Sequence, residues 1–317
     1  MSPARVNWRD LLARFGLFLA FLVMVAVLSL VSDRFLTTSN VLNVLRQISV
    51  NAIIAFGMTV VIIGAGIDLS VGSLLALVGV VAAMLATTTS LPVWLVLLVA
   101  LAVGALLGLF NGVVVGYAGV AAFIVTLAGL TIFRGATLVL TDGRPVSGLP
   151  PLFSQLGYGT FLKVPMPIWI MVGVLLLTHV LLRHTAVGRA VYAVGGNVEA
   201  ARLSGIPVRR TLALTYVYSG LVTAVAALVL TGRLNSAQPT AGQSFELDAI
   251  AAVVVGGTSL FGGRGNVWGT LVGALIIGVI NNGMNLLNVS SFYQQIVKGG
   301  VILVALLIDR VLSQREG

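Results

Sequence analysis

Long, nearly uninterrupted apolar runs recur along this chain, at about residues 15–31, 43–65, 70–88, 93–116, 120–140, 167–182, 211–231, 246–262, 267–287 and 291–309. A helical crossing of a bilayer needs about 20 predominantly apolar residues, and only helices or closed barrels satisfy every backbone group in hydrocarbon. A membrane barrel would alternate apolar and polar residues within segments of about ten, and these runs do not alternate. The expectation is an all-α, polytopic membrane helix bundle of about ten transmembrane helices, forming a single domain over 1–317.

Charge supports the same solvent. Only 9% of the 317 residues are charged, Lys and Arg numbering 18 and Asp and Glu 9, whereas a soluble domain carries about 25%. Membrane lipid is therefore expected around most of the surface. The absence of cysteine excludes disulfides, a thiol nucleophile and thiolate metal sites, and two histidines leave little for a metal centre, so no metal or cofactor is expected. The formal net charge of +9 does not indicate nucleic acid, because the basic residues sit in short stretches between apolar runs. Arg5, Arg9 and Arg14 precede the first run as in a signal peptide. No small-x-small cleavage site follows, which predicts an uncleaved first span.

An even number of spans puts both termini on one side. With the N-terminus inside, Arg5, Arg9, Arg14, Arg183, Arg189, Arg202, Arg209, Arg210, Arg264, Arg310 and Arg315 are cytoplasmic. Arg34, Arg46, Arg134, Arg144, Lys163 and Arg233 fall outside, and Lys298 lies within a span. This asymmetry follows the positive-inside rule. It makes residues 183–210 the largest cytoplasmic loop.

Helices in lipid approach closely where small residues recur at four-residue spacing. Gly104, Gly108, Gly112 and Gly116 form one such stripe, and Thr270, Ala274 and Gly278 another. Polar stripes carry more information. Gln47, Asn51 and Thr59 share a face of the second run, Thr215, Ser219 and Thr223 a face of the seventh, and Asn281, Asn282 and Asn285 are close-spaced on the ninth. An unpartnered amide in hydrocarbon costs several kcal/mol, so each stripe either bonds a neighbouring helix or lines a pathway for a polyhydroxylated solute. Asp68 in GAGIDLSVGS is an intramembrane carboxylate, a functional-site hypothesis by default. With Ser70 it could equally cap the helix that follows. The break GGTSLFGGRGN before WGTLVGAL parallels GIDLS before VGSLLAL, which suggests a repeat built on broken helices.

Within the cytoplasmic loop, VYAVGGNVEAARLSGIPVRR predicts one short helix, Val198 to Ser204, of roughly 10 Å. Asn197 suits its N-cap, Glu199 its first turn, Gly205 a left-handed C-terminal position, and Pro207 prevents continuation. A helix this short is marginal alone. Ala200, Ala201, Leu203, Ile206 and Val208 offer a small apolar surface ringed by Arg202, Arg209 and Arg210, which predicts docking on a cytoplasmic partner.

EAARLSGIPV, with GIDLSVGS before it and FELDAIAAVVVGGTSLFGGRGNVWGT after it, resembles the permease subunits of ribose-, xylose-, arabinose- and galactose-type ABC importers. TDGRPV and VYAVGGN are similar to that family too, and the resemblance runs from about Phe35 to Asp309. It implies a permease that moves a monosaccharide across the bacterial cytoplasmic (inner) membrane by alternating access. It also implies a second permease copy, an ATP-binding subunit below and an extracytoplasmic sugar-binding protein above. By the same resemblance, Glu199 to Gly205 looks like the coupling helix that sits in a groove of the ATPase, with Asn197 and Ile206 flanking it among the coupling residues. The chain itself has no Gly-x-x-x-x-Gly-Lys-Ser/Thr phosphate loop, so it is not expected to be an enzyme. Two alternatives stay open: an ion-coupled secondary transporter, motivated by Asp68, and a permease for another small solute such as a branched-chain amino acid.

Overall fold

A computed structural model describes residues 8–290, 292–301 and 303. Arg5, Arg310, Arg315 and the end of the last apolar run lie outside the described residues. In chain order the helices are α1 (Trp8–Val31), α2 (Thr38–Ile63), α3 (Val71–Thr88), α4 (Val93–Gly116), α5 (Ala122–Thr141), α6 (Pro151–Tyr158), α7 (Met166–His184), α8 (Ala186–Gly196), α9 (Val198–Leu203), α10 (Val208–Leu234), α11 (Phe245–Val255) and α12 (Val267–Leu286). Residues 292–301 are again helical. Two ribbons of two residues per strand are the only sheet among the described residues. One joins Val146–Ser147 to Ser236–Ala237, the other Thr160–Phe161 to Val164–Pro165.

Among the described residues, seven helices are long and apolar enough to cross a membrane: α2, α3, α4, α5, α7, α10 and α12. The chain is thus an all-α polytopic bundle. α2 and α10 are its axis, with Ile53, Phe56, Met58 and Val222 fully buried. α4, α5 and α7 form its outside, where Leu106, Ile132 and Leu176 are exposed, as lipid-facing side chains should be. α4 runs against α10 along a seam of small residues. A Cβ at Gly108 would strike the Tyr216 carbonyl, and one at Gly104 would strike Gly220 and Ala224. With no hydrophobic drive between helices in lipid, this backbone proximity supplies the packing.

The run at 246–262 does not form one continuous span. α11 ends after 11 residues at Gly256, about 16 Å and half the hydrocarbon thickness. Gly257, Gly262 and Gly263 then turn the chain with φ of +83°, +85° and +72°, a region that only glycine enters freely. Upstream, non-helical residues 238–244 descend to Gly72 near the start of α3, where the Gly242 carbonyl fills the space a side chain at Gly72 would need. A second break, residues 64–70, separates α2 from α3. Irregular backbone within a bilayer is tolerated where protein or water satisfies it, and Gly64, Asp68, Ser70 and Gly242 in these breaks are buried in protein.

Candidate functional site

The breaks leave a small cleft between α2, α11 and α12, lined by the polar Gln47, Asn51, Asp248 and Asn281 and by the apolar Ile48 and Ile277 among others. Gln47 and Asn51 are one turn apart on α2, and Asn281 faces them from α12. The wall of α11 contributes Asp248, in its first turn and only 7% exposed. Lys298, from the helical segment beyond α12, places its Nζ 3.0 Å from each Asp248 carboxylate oxygen. The Asn51 Nδ2 donates to the same carboxylate at 3.3 Å. The carbonyl oxygens of Asn51 and Asn281 are buried and accept no hydrogen bond from the described residues. Buried acceptors are nearly always satisfied, so these two call for a donor that the described residues do not supply.

Other polar residues singled out in the sequence lie elsewhere. Asn282 exchanges two amide hydrogen bonds with Asn40, both 3.0 Å, fastening α12 to α2. Thr59 meets Thr270 at 2.8 Å in a fully buried contact between the same helices. Asn285 is exposed and accepts from Gln294. Thr215 bonds its own helix, to the Leu212 carbonyl.

Asp68 is completely buried and closes a separate network. One carboxylate oxygen accepts from the Ser70 backbone N–H at 3.0 Å and the Ser70 hydroxyl at 2.6 Å, the other from the Ser219 hydroxyl at 3.2 Å. Asn111 Nδ2 donates to Ser70 Oγ at 2.8 Å, and the Tyr216 hydroxyl donates to the neighbouring Ile67 carbonyl at 3.3 Å. Ser70 occupies the N-cap position of α3 but makes no side-chain cap bond there; its hydroxyl donates to Asp68 and accepts from Asn111. The network knots the break at 64–70 to α4 and α10.

On the loop at 183–210, Asn197 caps α9, its Oδ1 accepting from Ala200 N at 2.9 Å. Glu199 in the first turn pairs with Arg202 at 2.7 Å on the surface. α9 spans Val198–Leu203, one residue shorter than expected, with Ser204 as its C-cap. Gly205 follows at φ +78°, and Ile206 N returns to the Ala201 carbonyl at 3.0 Å. Ala201 is buried beneath the helix, whereas Leu203 stands 85% exposed, an apolar side chain without a partner on a helix of six residues.

A second helix in this loop, α8, was not expected. Thr185 caps it by accepting from Gly188 N at 3.1 Å. Its last turn abuts the ends of the long helices. A Cβ at Gly195 would collide with the Ile63 carbonyl at the end of α2, and that carbonyl accepts from Gly263 N at 2.8 Å. The Tyr192 hydroxyl adds a bond to the Gly265 carbonyl at 2.7 Å, and burial pushes its phenol above the usual 10.0. α8 therefore joins α9 to α2 and to the turn between α11 and α12.

Sequence reasoning missed Asp248, Asn111, Asn40 and Tyr192, and gave Lys298 no role. The available signal was a pair of acids, Glu246 and Asp248, at the head of the apolar run FELDAIAAVVV and a lone base in IVKGGVILVALL. Among the described residues no group of three or more His, Asp or Glu could hold a metal ion.

Residues 40–306 match the family described as branched-chain amino acid transport system / permease component. The chain is 52% identical over 303 residues to the ribose import permease protein of Haemophilus influenzae, covering 94% of each. It is 50% identical over 311 residues to the ribose import permease protein of Bacillus subtilis, covering 98% of this chain and 96% of that protein. The D-allose transport system permease protein of Escherichia coli is 39% identical over 302 residues, 95% of this chain and 93% of its own. No solved structure matches the chain.

Proposed function

Because the chain belongs to the family of branched-chain amino acid transport system / permease components, we propose that it carries a ribose-like monosaccharide inward through the cleft between α2, α11 and α12. It is the permease subunit of an ABC sugar importer, a multi-pass inner-membrane protein and not an enzyme, and a separate ATPase hydrolyses the ATP. An ATPase subunit and a sugar-binding protein are its partners.

The cleft carries the reading of the cargo. Its lining combines the amides of Gln47, Asn51 and Asn281 and the Lys298-paired carboxylate of Asp248 with the apolar Ile48, Ala252, Ala274 and Ile277, a mixture that suits a solute with hydroxyls and C–H faces. In our reading Gln47, Asn51 and Asn281 form the pathway. Thr59, Asp68, Ser70, Thr215, Ser219, Asn282 and Asn285 hold or flank the helices that shape it. One permease domain over 1–317, with both termini in the cytoplasm, pairs with a second copy.

Coupling falls to Asn197, Glu199, Ala200, Ala201, Arg202, Leu203, Gly205 and Ile206. α9 seats on the ATPase, with Leu203 as its apolar contact. When ATP draws two ATPase subunits together, α9 and α8 move with them, and the ends of α2 and α12 follow. A state change of this kind needs a differential interaction in each state, which nucleotide supplies through the ATPase.

The test is reconstitution with the ATPase and the sugar-binding protein. Ribose uptake should require ATP. Gly205→Val, which forces a branched side chain into a left-handed backbone, should reduce ATPase association and uptake while leaving membrane insertion intact. Uptake by this chain alone, driven by an ion gradient, would instead establish a secondary transporter.

A further inference from the structure

We infer that Asp248, held by Lys298 and Asn51 and faced by Asn281, is a hydroxyl-binding station for the solute within the cleft, with the Asp248 carboxylate as its specificity-determining acceptor. The inference rests on the transport reading above. Four observations carry it.

The carboxylate lines the cleft wall and is almost wholly buried, yet its partners do not use all of it. Lys298 and a single Asn51 N–H leave lone-pair directions open on an ionised carboxylate, which offers about four acceptor sites. Second, the two nearest amides present acceptors without donors, Asn51 Oδ1 and Asn281 Oδ1. Two unsatisfied amide acceptors on the lining that also carries Asp248 complement a ligand rich in O–H donors, and no donor for those two exists among the described residues. Third, Lys298 lies within 3.0 Å of both carboxylate oxygens, so the site is neutral overall and offers no net charge to hold an ion. A buried ion pair is weak evidence for stability, so its position beside a cleft is better explained by what it presents there. Fourth, Lys298 belongs to a segment otherwise thinly packed, with Phe292, Tyr293 and Ile296 exposed. The pair is thus the polar tie between that segment and the cleft.

A neutral polyol would replace none of these bonds and add several. A carboxylate solute would meet the Asp248 charge, and a bare cation would meet Lys298. The station therefore selects uncharged, hydroxyl-bearing solutes at the permease itself, in addition to any selection made outside the membrane.

The chain has no cysteine, so a single Ala274→Cys, in the cleft lining but outside the proposed station, reports on the cleft in the assembled complex. With ATP, sugar-binding protein and saturating ribose, modification of that cysteine by a small methanethiosulfonate reagent should slow at least three-fold relative to the same complex without ribose. Adding Asp248→Asn should abolish that protection and, in the unlabelled chain, lower ribose uptake at least ten-fold with the complex intact. Wild-type uptake by Asp248→Asn with undiminished protection overturns the station, as does protection by leucine but not by ribose. If Asp248→Asn does not assemble, Asn281→Ala decides. Its carbonyl oxygen has no partner among the described residues to lose, so uptake should fall at least five-fold, and unchanged uptake overturns the inference. Failure of the underlying transport reading looks different, since the unaltered complex would then import no ribose with ATP.

Discussion

Asp68 shows what one buried carboxylate does when every donor around it is committed. Its three hydrogen bonds tie a chain break to α10, and through Ser70 and Asn111 to α4. Replacing it with alanine orphans the Ser70 and Ser219 hydroxyls in a dry interior, at about 1–3 kcal/mol for each unsatisfied group. Asp68→Ala should lower the thermal midpoint of the detergent-solubilised complex and its yield, and a variant with normal stability but no transport would move Asp68 from scaffold to pathway. Tyr192 gives a pH-dependent counterpart outside the membrane. Its phenol is raised above 10.0 by burial, so folding favours the protonated form. The hydrogen bond to Gly265 is fully present below pH 10 and is lost as pH rises through the raised value. Tyr192→Phe should therefore cost about 1 kcal/mol at pH 7, with the gap to the wild type closing above pH 10 in unfolding measurements. Asp68 was visible in the sequence as an isolated acid. That it is a scaffold carboxylate was not, because Asn111 and Ser219 reach it from runs 41 and 151 residues from its neighbour Ser70 and from itself.

At the scale of elements, the seam between α4 and α10 is set by absent side chains. Gly220 approaches the Gly104 carbonyl so closely that any Cβ there is in collision. Gly220→Leu should separate the two helices and abolish accumulation of folded protein. Gly135→Ala, on a helix where nothing lies within 4 Å of the added methyl, should leave expression and uptake within two-fold of wild type. The four-residue glycine period on α4 was legible because it lies within one helix, and so were the boundaries of the long spans, set by loss of apolar character. Two elements were not legible. α11 belongs to an apolar run long enough for a full crossing, and its early stop depends on how the Gly256–Gly263 turn packs against Gly195 and Ala65. α8 is made almost wholly of Ala, Val and Gly, broken by Arg189 and Tyr192, and its helix depends on the surface it lies against more than on its own pattern. The cap residue Thr185 was its only local signal.

For the whole molecule, the order of elements fixes which ends share a side. α9, the Gly262–Gly263 turn and the end of α2 gather at one end, with Gly195 touching both Ile63 and Gly263. The ribbon between Val146–Ser147 and Ser236–Ala237 lies beyond the far end of α10. Single cysteines at Ser90 and at Ser204 in the cysteine-free chain should label from opposite sides of intact cells with a membrane-impermeant maleimide, Ser90→Cys from outside. Labelling of Ser204→Cys from outside would reverse the orientation. The sequence pattern of arginines indicates this sidedness because it depends on summed charge. The cleft, by contrast, needs α2, α11, α12 and Lys298 to be brought together, and no single segment encodes that.

The junction of Ile63, Gly195 and Gly263 is made of backbone against backbone, with no side chain between the surfaces. Such a joint has almost no compliance: there is nothing to compress or re-pack before the main chain itself is displaced. It also has almost no tolerance at its glycines, since any substitution of Gly195 or Gly263 adds atoms where none fit. One residue past α8, beyond Asn197, the opposite holds. Val198, Glu199 and Leu203 project outward and make few bonds that the permease needs. The same few ångströms thus divide a part that must stay fixed from a part free to vary. A lineage could retune its fit to a different motor by exchanging the face of α9 while inheriting the transmission behind it unchanged.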